Sequence, residues 1–428
     1  IFGSRGLGDV YKRQLLIGTL TLNAEAQTVV SDTLTSDATW TVAGSPYIGI
    51  PDSWFSLVIP EGVTLTIEPG TTVDVRLITE GSIIAAGSPG DSIYFLERVE
   101  ITMRPFQQAV FQFCVFNTAG HGIVAEVGQA AYSGQPTLVR NSSFIGSAIT
   151  IAALDSIGPP ASSLDTLPEY IALDVKSTQF LNSTVGIVSH TWMLNKIENC
   201  HFSEGYAGVV DAIIGWKPDS VQLYEPGNWT SVGSKITSKE YAKLNQFTIV
   251  KNCVFENFNW GNVSQGGGGF IGTGRISNCY FEGNTSGAVI EGIVENCIFA
   301  NNEYGVCLSD SVVLINNVIQ DNTVGIASHV PGFMNSAGLY QTPVKSLHVE
   351  NNLICNDSIN VRTPWKDTTF DFSQNYWCLT DSTDIANLIQ DWHDSTDQMG
   401  IINFMDFDTV PQAVSYTHLT LPTTKQVV

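Results

Sequence analysis

The chain has 428 residues, and 41 Asp and Glu against 19 Lys and Arg give a formal net charge of −22. Such acidity excludes nucleic acid and anionic membrane surfaces as natural partners, and suits solubility, divalent cations or a neutral or cationic ligand. No stretch is long and apolar enough to span a bilayer, so no transmembrane segment is expected.

Both ends look foreign to the rest. Residues 1–14, ending in Gly8-Asp9-Val10-Tyr11-Lys12-Arg13-Gln14, resemble translated sequencing-adapter read-through. So do residues 415–428, beginning Ser415-Tyr416-Thr417-His418-Leu419. For the first segment the alternative is the basic start of a leader peptide. Residues 15–26 combine a short apolar run with Ala24-Glu25-Ala26, the small-x-small pattern of a signal-peptide cleavage site. A secreted or cell-surface destination follows. Residues 27–55 are expected to cap the strand edge that comes next.

From residue 56 to 380 the chain repeats itself. The phrase Asn-Cys-x-Phe occurs at Asn199-Cys200-His201-Phe202, Asn252-Cys253-Val254-Phe255, Asn278-Cys279-Tyr280-Phe281 and Asn296-Cys297-Ile298-Phe299. Looser copies stand at Asn141–Phe144, Ser177–Phe180, Asn316–Ile319 and Asn351–Ile354, and most are followed by a polar turn and Gly with a β-branched residue, as in Gly186-Ile187 and Gly305-Val306. The spacing from Thr178 to Cys200 is 22 residues, from Cys253 to Cys279 26, and from Cys279 to Cys297 18. A strand–helix–strand unit takes roughly 30 residues, so these intervals hold short alternating strands joined by tight turns. Cys and Phe, two apart, share one face of a strand. Coils stacked about 4.8 Å apart would then form inward ladders of Cys and of Phe, with Asn amides stacked at the turn. The Gly fits a corner that needs positive φ or close backbone approach.

This pattern resembles the right-handed parallel β-helix repeat of pectate-lyase-like secreted proteins. The resemblance extends to the run Ile59-Pro60-Glu61-Gly62-Val63-Thr64-Leu65, similar to the family's opening coil. Asn375-Tyr376-Trp377 is similar to its closing coil, with Cys378 where Gly is usual. It implies an all-β, single-stranded solenoid. It implies no one activity, because that fold carries lyases, epimerases, hydrolases, adhesins and inert stalks.

The eight cysteines admit two readings. Cys200, Cys253, Cys279 and Cys297 at equivalent inward positions are expected to be stacked free thiols, with rung-to-rung disulfides as the alternative. Cys307, Cys355 and Cys378 lie off that ladder. The C-terminal cap over 381–414 is expected to contain a short helix, with Asp381 to Asp384 at its start. Ile385, Leu388, Ile389 and Trp392 fall on one helical face.

Function is sought where the repeat is interrupted, around 124–139, 153–170, 213–246 and 328–346. These insertions carry Tyr132, Tyr170, Trp216, Tyr224, Trp229, Tyr241, Phe333 and Tyr340. If all leave one edge, Trp216, Tyr224, Trp229, Tyr241 and Tyr340 form a sugar-stacking groove for polysaccharide; the plainer reading is loops packing their own aromatics. Glu256 and Glu282 follow the repeat Phe on neighbouring rungs. Adjacent like charges are unfavourable unless a cation separates them, so they form a candidate calcium site, against ordinary solvated glutamates. Glu198 and Lys251 are expected to form a surface pair. His190 and His329 occupy matching positions several coils apart and are read as ordinary outward side chains. No catalytic motif is present. The expected function is therefore an extracellular binding or adhesion module. The alternatives are a polysaccharide lyase, epimerase or hydrolase, for which Asp211, Asp219 and Asp310 are the available carboxylates, or the stalk of a larger adhesin.

Overall fold

The computed structural model describes residues 27–50, 56–104, 106–127, 135–153, 171–190, 194–211, 248–258, 267–327, 346–356, 358–362, 369–391 and 400–411. Among these, 33 strands join one sheet, and a second, two-stranded piece pairs Thr369–Asp371 with Ile401–Asn403. The strand pairings are parallel, as in Arg76–Thr79, which lies between Ser56–Ile59 and Val99–Met103. A strand thus meets the strand three places on, consistent with a β-helix solenoid.

Three strips run along the stack. The first contains Ser56–Ile59, Arg76–Thr79, Val99–Met103 and Gly120–Val127. The second contains Thr64–Ile67, Ser82–Ala86, Ala109–Gln112 and Thr137–Arg140. The third contains Thr72–Asp74, Ile93–Phe95, Cys114–Phe116 and Ser143–Ile145. Further along, Gln179–His190 and Tyr304–Ile315 run through a corner into the next strip. Alternate residues of the strips point inward and build a core that continues from Trp40 to Ile402, and Val188, Val210, Ile271, Val289 and Cys307 belong to a second buried cluster. The segment before the repeat already belongs to the stack, since Ala38–Trp40 pairs with the strand at Leu65 to Ile67.

The aromatic ladder is longer than the repeated phrase. Phe95, Phe116, Phe144, Phe180, Phe202, Phe255, Phe281 and Phe299 stack face to face with ring centroids 4.5 to 4.9 Å apart. Ile319 and Ile354 continue the column in register. Each fully buried Phe contributes roughly 1.5–3 kcal/mol relative to an exposed ring.

Two of the three corners are closed by a left-handed residue. Between the second and third strips, Phe113, Asn141, Ser177, Asn199, Asn252, Asn278, Asn296, Asn316, Asn351 and Gln374 have φ between 49° and 59°. Asn tolerates that region best among residues with a side chain, which is why it leads the repeated phrase. The first Asn therefore serves the backbone rather than an amide ladder. Among the described residues, only a 3.2 Å contact from Asn252 Nδ2 to Asn199 Oδ1 links two of them. The ladder of amides lies one residue later: Asn317 N–H donates to Asn352 Oδ1 and Asn352 N–H to Asn375 Oδ1, at 2.9 and 3.0 Å. A second ladder, Asn284–Asn302–Asn322–Asn356–Asn360, lines the corner from the third strip to the first. There Asn257, Asn301 and Asp321 take the left-handed conformation.

The four cysteines are free, buried thiols, as expected, and they are more than filler. Cys200 N–H donates to Cys253 Sγ, Cys253 N–H to Cys279 Sγ, and Cys279 N–H to Cys297 Sγ, each at 3.4 Å. Ser142 Oγ plays the same part toward Cys114 N–H at 3.1 Å. Burial pushes the Cys200, Cys253 and Cys279 thiols well up. Cys307 is free as well, and Cys355 pairs with Cys378 in a disulfide. Cys378 has φ +58°, in the left-handed region that Gly favours.

Two expectations are resolved by packing. The Gly that follows each phrase needs close approach, not positive φ: a Cβ on Gly208 would lie 2.5 Å from the Phe255 ring and 2.6 Å from the Gly269 carbonyl oxygen. The C-terminal helix is only Ser382–Ala386, capped by Asp381, whose Oδ1 accepts from Thr383 N–H at 2.8 Å. Ile389 does not continue it; Ile389–Gln390 pairs with Val361 and Arg362 instead. The open ladder of the first strip supplies backbone partners that a second helical turn would forgo. Trp392 and both terminal flanks, 1–26 and 412–428, lie outside the described residues.

Candidate functional site at the open corner

The third corner, from the first strip to the second, has no comparable left-handed residue on every rung. All four anticipated insertions leave from it, the first of them narrower than expected, since Gly120–Val127 and Thr137–Arg140 are strands. First-strip strands reach Val127, Ala153, Asp211 and Ala327, and the second strip resumes at Thr137, Ile171, Thr248 and Ser346. The strand ends are aligned, with Val127 opposite Ala153 and Ser189 opposite Asp211. Ala327 stands opposite Cys307 in the same strip. The stems of the insertions thus follow one another along a single edge. Trp216, Tyr224, Trp229, Tyr241 and Tyr340 themselves lie outside the described residues, as do Tyr132, Tyr170, Phe333 and Asp219.

Beneath that edge the interior becomes polar. Ser189, Asn195, Asp211 and Thr248 are all buried, where the preceding rung places Ile151 opposite Ser189 and Leu173 opposite Asn195. Asn195 Nδ2 donates to Ser189 Oγ at 2.9 Å and to Thr248 Oγ1 at 3.3 Å. Neither carboxyl oxygen of Asp211, nor Asn195 Oδ1, has a hydrogen-bond partner among the described residues. Burial pushes the Asp211 carboxyl up to about 7; the Ser189 and Thr248 hydroxyls are close enough to oppose that shift without cancelling it. On the next two rungs Thr273 and Glu291, each 8% exposed, stand opposite one another at the same corner. A carboxyl held near neutrality can exchange a proton at physiological pH. Asp211 is thus the one carboxylate of the sequence-derived set whose surroundings are described.

A second group of charges lies on the outer face of the first strip. Glu100 accepts from Arg76 Nη2 at 2.6 Å and pairs with Arg98 Nε at 2.7 Å. His121 Nδ1 lies 2.9 Å from Thr150 Oγ1, and burial and then Arg98 hold its pKa down. Burial and then Glu100 push Glu126 up. His121 begins its strand and Glu126 nearly ends it, roughly 16 Å apart at 3.3 Å per residue. They do not act on one atom. The alternation Val99-Glu100-Ile101 was the available signal for an outward Glu100; Arg98 stands two residues before it in the chain, and Arg76 comes from the preceding rung.

Glu256 and Glu282 are adjacent in register, as expected. Glu256 Oε1 is 2.8 Å from His201 Nε2, and Glu282 Oε1 accepts from Asn301 Nδ2 at 3.2 Å. Burial, then Glu282 and Glu256, pushes the Tyr280 hydroxyl to about 12. Among the described residues no group of three or more His, Cys, Asp or Glu is placed to hold a metal ion. Glu198 is opposite Lys251, but its carboxylate pairs with Lys176 Nζ at 2.9 Å. The side chains of His190 and Asp310, and all of His329, lie outside the description. No described helix is long and apolar enough to cross a membrane. Compared with protein-family models, curated proteins and solved structures, the chain matches none.

Proposed function

We propose that the chain is an exported, right-handed parallel β-helix that binds polysaccharide along its open corner, as an extracellular or cell-surface module. The observation that carries this reading is the alignment of the insertion stems on one edge. Five of the aromatic residues suited to stacking on sugars fall in insertions rooted there. The Cys355–Cys378 disulfide suits an oxidising compartment outside the cytoplasm. Pull-down of the full chain on immobilised polysaccharides tests the reading. Wild type is retained without turnover, and the Trp216→Ala, Trp229→Ala double variant is released; appearance of unsaturated or reducing-end sugars would overturn the non-catalytic form of the proposal.

The raised Asp211 carboxyl favours one second reading, a glycoside hydrolase or lyase acting at the same edge. Incubation with pectin, alginate and glycosaminoglycans, with and without calcium, separates the two. Product formation that Asp211→Asn abolishes establishes the enzyme; no product from any of these substrates removes them from consideration.

A further inference from the structure

At the open corner Val99–Met103 gives way to Ala109–Gln112 through a short turn. Phe106 stands on that turn. Its ring is 91% exposed, more than any other large apolar side chain described, and its φ is +66°. A bulky residue in the left-handed region is strained. Leaving a Phe in water forgoes the gain of burying it. Two rungs earlier the same corner turns with Gly62 at φ +83°, without either cost.

The turn that carries the ring is tied down from beneath. Gln107 is buried; its Oε1 accepts from Arg104 N–H at 2.9 Å and its Nε2 donates to the Thr79 carbonyl at 3.5 Å. Gln107 N–H donates to the Arg104 carbonyl at 3.3 Å, and Arg104 Nη2 meets Glu80 Oε2 at 3.3 Å. An inward amide thus holds an outward ring, with a guanidinium, a carboxylate and the exposed Gln108 close by in the chain or bonded to it. Preorganisation of this kind lowers the entropy lost on binding.

We propose that Phe106 is a stacking platform for one pyranose ring of a bound polysaccharide. The C–H face of the sugar lies on the electron-rich face of the ring. Arg104, Glu80 and Gln108 take the hydroxyls at its rim. The inference rests on the polysaccharide-binding reading of this edge and deepens it, by placing a sugar contact at the end of the edge ahead of the aromatic insertions.

The test is affinity electrophoresis of the full chain through gels containing neutral or acidic polysaccharides, with melting temperature measured alongside. Phe106→Ala weakens retardation about tenfold, the loss of a typical buried-contact hot spot, and Phe106→Trp retains it. Phe106→Gly, which suits the left-handed φ, binds as weakly as Phe106→Ala while melting no lower than wild type. If wild type is retarded and Phe106→Gly is retarded equally, the platform is wrong and the binding reading survives. If wild type is retarded by no polysaccharide, both fall together.

Discussion

From the second strip to the third the chain turns through a single left-handed residue on ten rungs, from Phe113 to Gln374. From the first strip to the second it turns through Glu80 and Gly81 on one rung and through the whole of 212–247 on another. The closed corner is held by three things at once: the left-handed φ, a backbone bond such as Asn278 N–H to the Glu295 carbonyl at 3.2 Å, and the inward Cys or Asn that accepts from the rung before. An added residue breaks all three. The open corner has no such set, so length varies there at the small entropic cost of a longer loop. Regularity and novelty are divided between two edges of one scaffold.

The sharpest way to break this comparison is to insert Gly-Ser after Asn278 and, separately, within 212–247. The first costs more than about 4 kcal/mol, through lost buried hydrogen bonds and a displaced Phe281. The second costs under about 0.5 kcal/mol. Denaturation midpoints that moved equally would erase the distinction between corners.

Asp211 gives the next largest effect, at the root of the open corner. Its folded pKa, about 7, lies above the ordinary carboxyl value of 3.8. The folded state therefore holds the proton more tightly than the unfolded state. The contribution is fully present below pH 4, shrinks as pH rises toward 7, and is constant above it. The total is on the order of 4 kcal/mol. Asp211→Asn removes this slope; a wild-type melting temperature independent of pH across that window would show that the carboxyl finds a partner.

Cys279 tests the closed corner more gently. Cys279→Ser keeps an acceptor for Cys253 N–H and is close to neutral, as Ser142 does for Cys114. Cys279→Ala leaves that N–H bare and costs about 1–2 kcal/mol. Equal stability of the two variants by thermal melting would reduce the sulfur column to simple packing. Smallest of all, Asn278→Gly is within about 0.5 kcal/mol of wild type and Asn278→Ala about 1 kcal/mol worse. Parity between them would mean that φ does not choose the residue at that corner.

The closed corners were largely legible in the sequence because stacking demands the same residue type on rung after rung. Asn-Cys-x-Phe announces an inward pair and a turn, and the register places Phe202, Phe255, Phe281 and Phe299 on one column. The division of labour between two successive Asn residues was not legible, since φ is a property of the backbone and leaves no separate mark on composition. The helix pattern through Ile389 misled because a strand ladder competes for the same residues. The polar interior beneath the open corner was hidden for another reason. Ser189, Asn195, Asp211 and Thr248 come from three separate strands and the start of a fourth, and only the register brings them together. Phe106 leaves no signal in the sequence, because a lone Phe beside Pro105 carries no pattern at all.

The sulfur and amide columns also give the stack a chemical direction. Every backbone N–H in the run Cys200, Cys253, Cys279, Cys297, Asn317, Asn352 donates toward the C-terminal rung, and each Sγ or Oδ1 that accepts it faces back. The run is a vector, like a row of hooks and eyes, and it requires a last member with no eye ahead of it. Asn375 is that member: its Oδ1 accepts from Asn352 N–H, and its amide donates only to the Val349, Phe372 and Ser373 carbonyls, each at 2.9 Å, among the described residues. Two such stacks could not be spliced head to head in mid-column, because hook would meet hook; only a graft that preserves polarity, rung behind rung, would lengthen this protein.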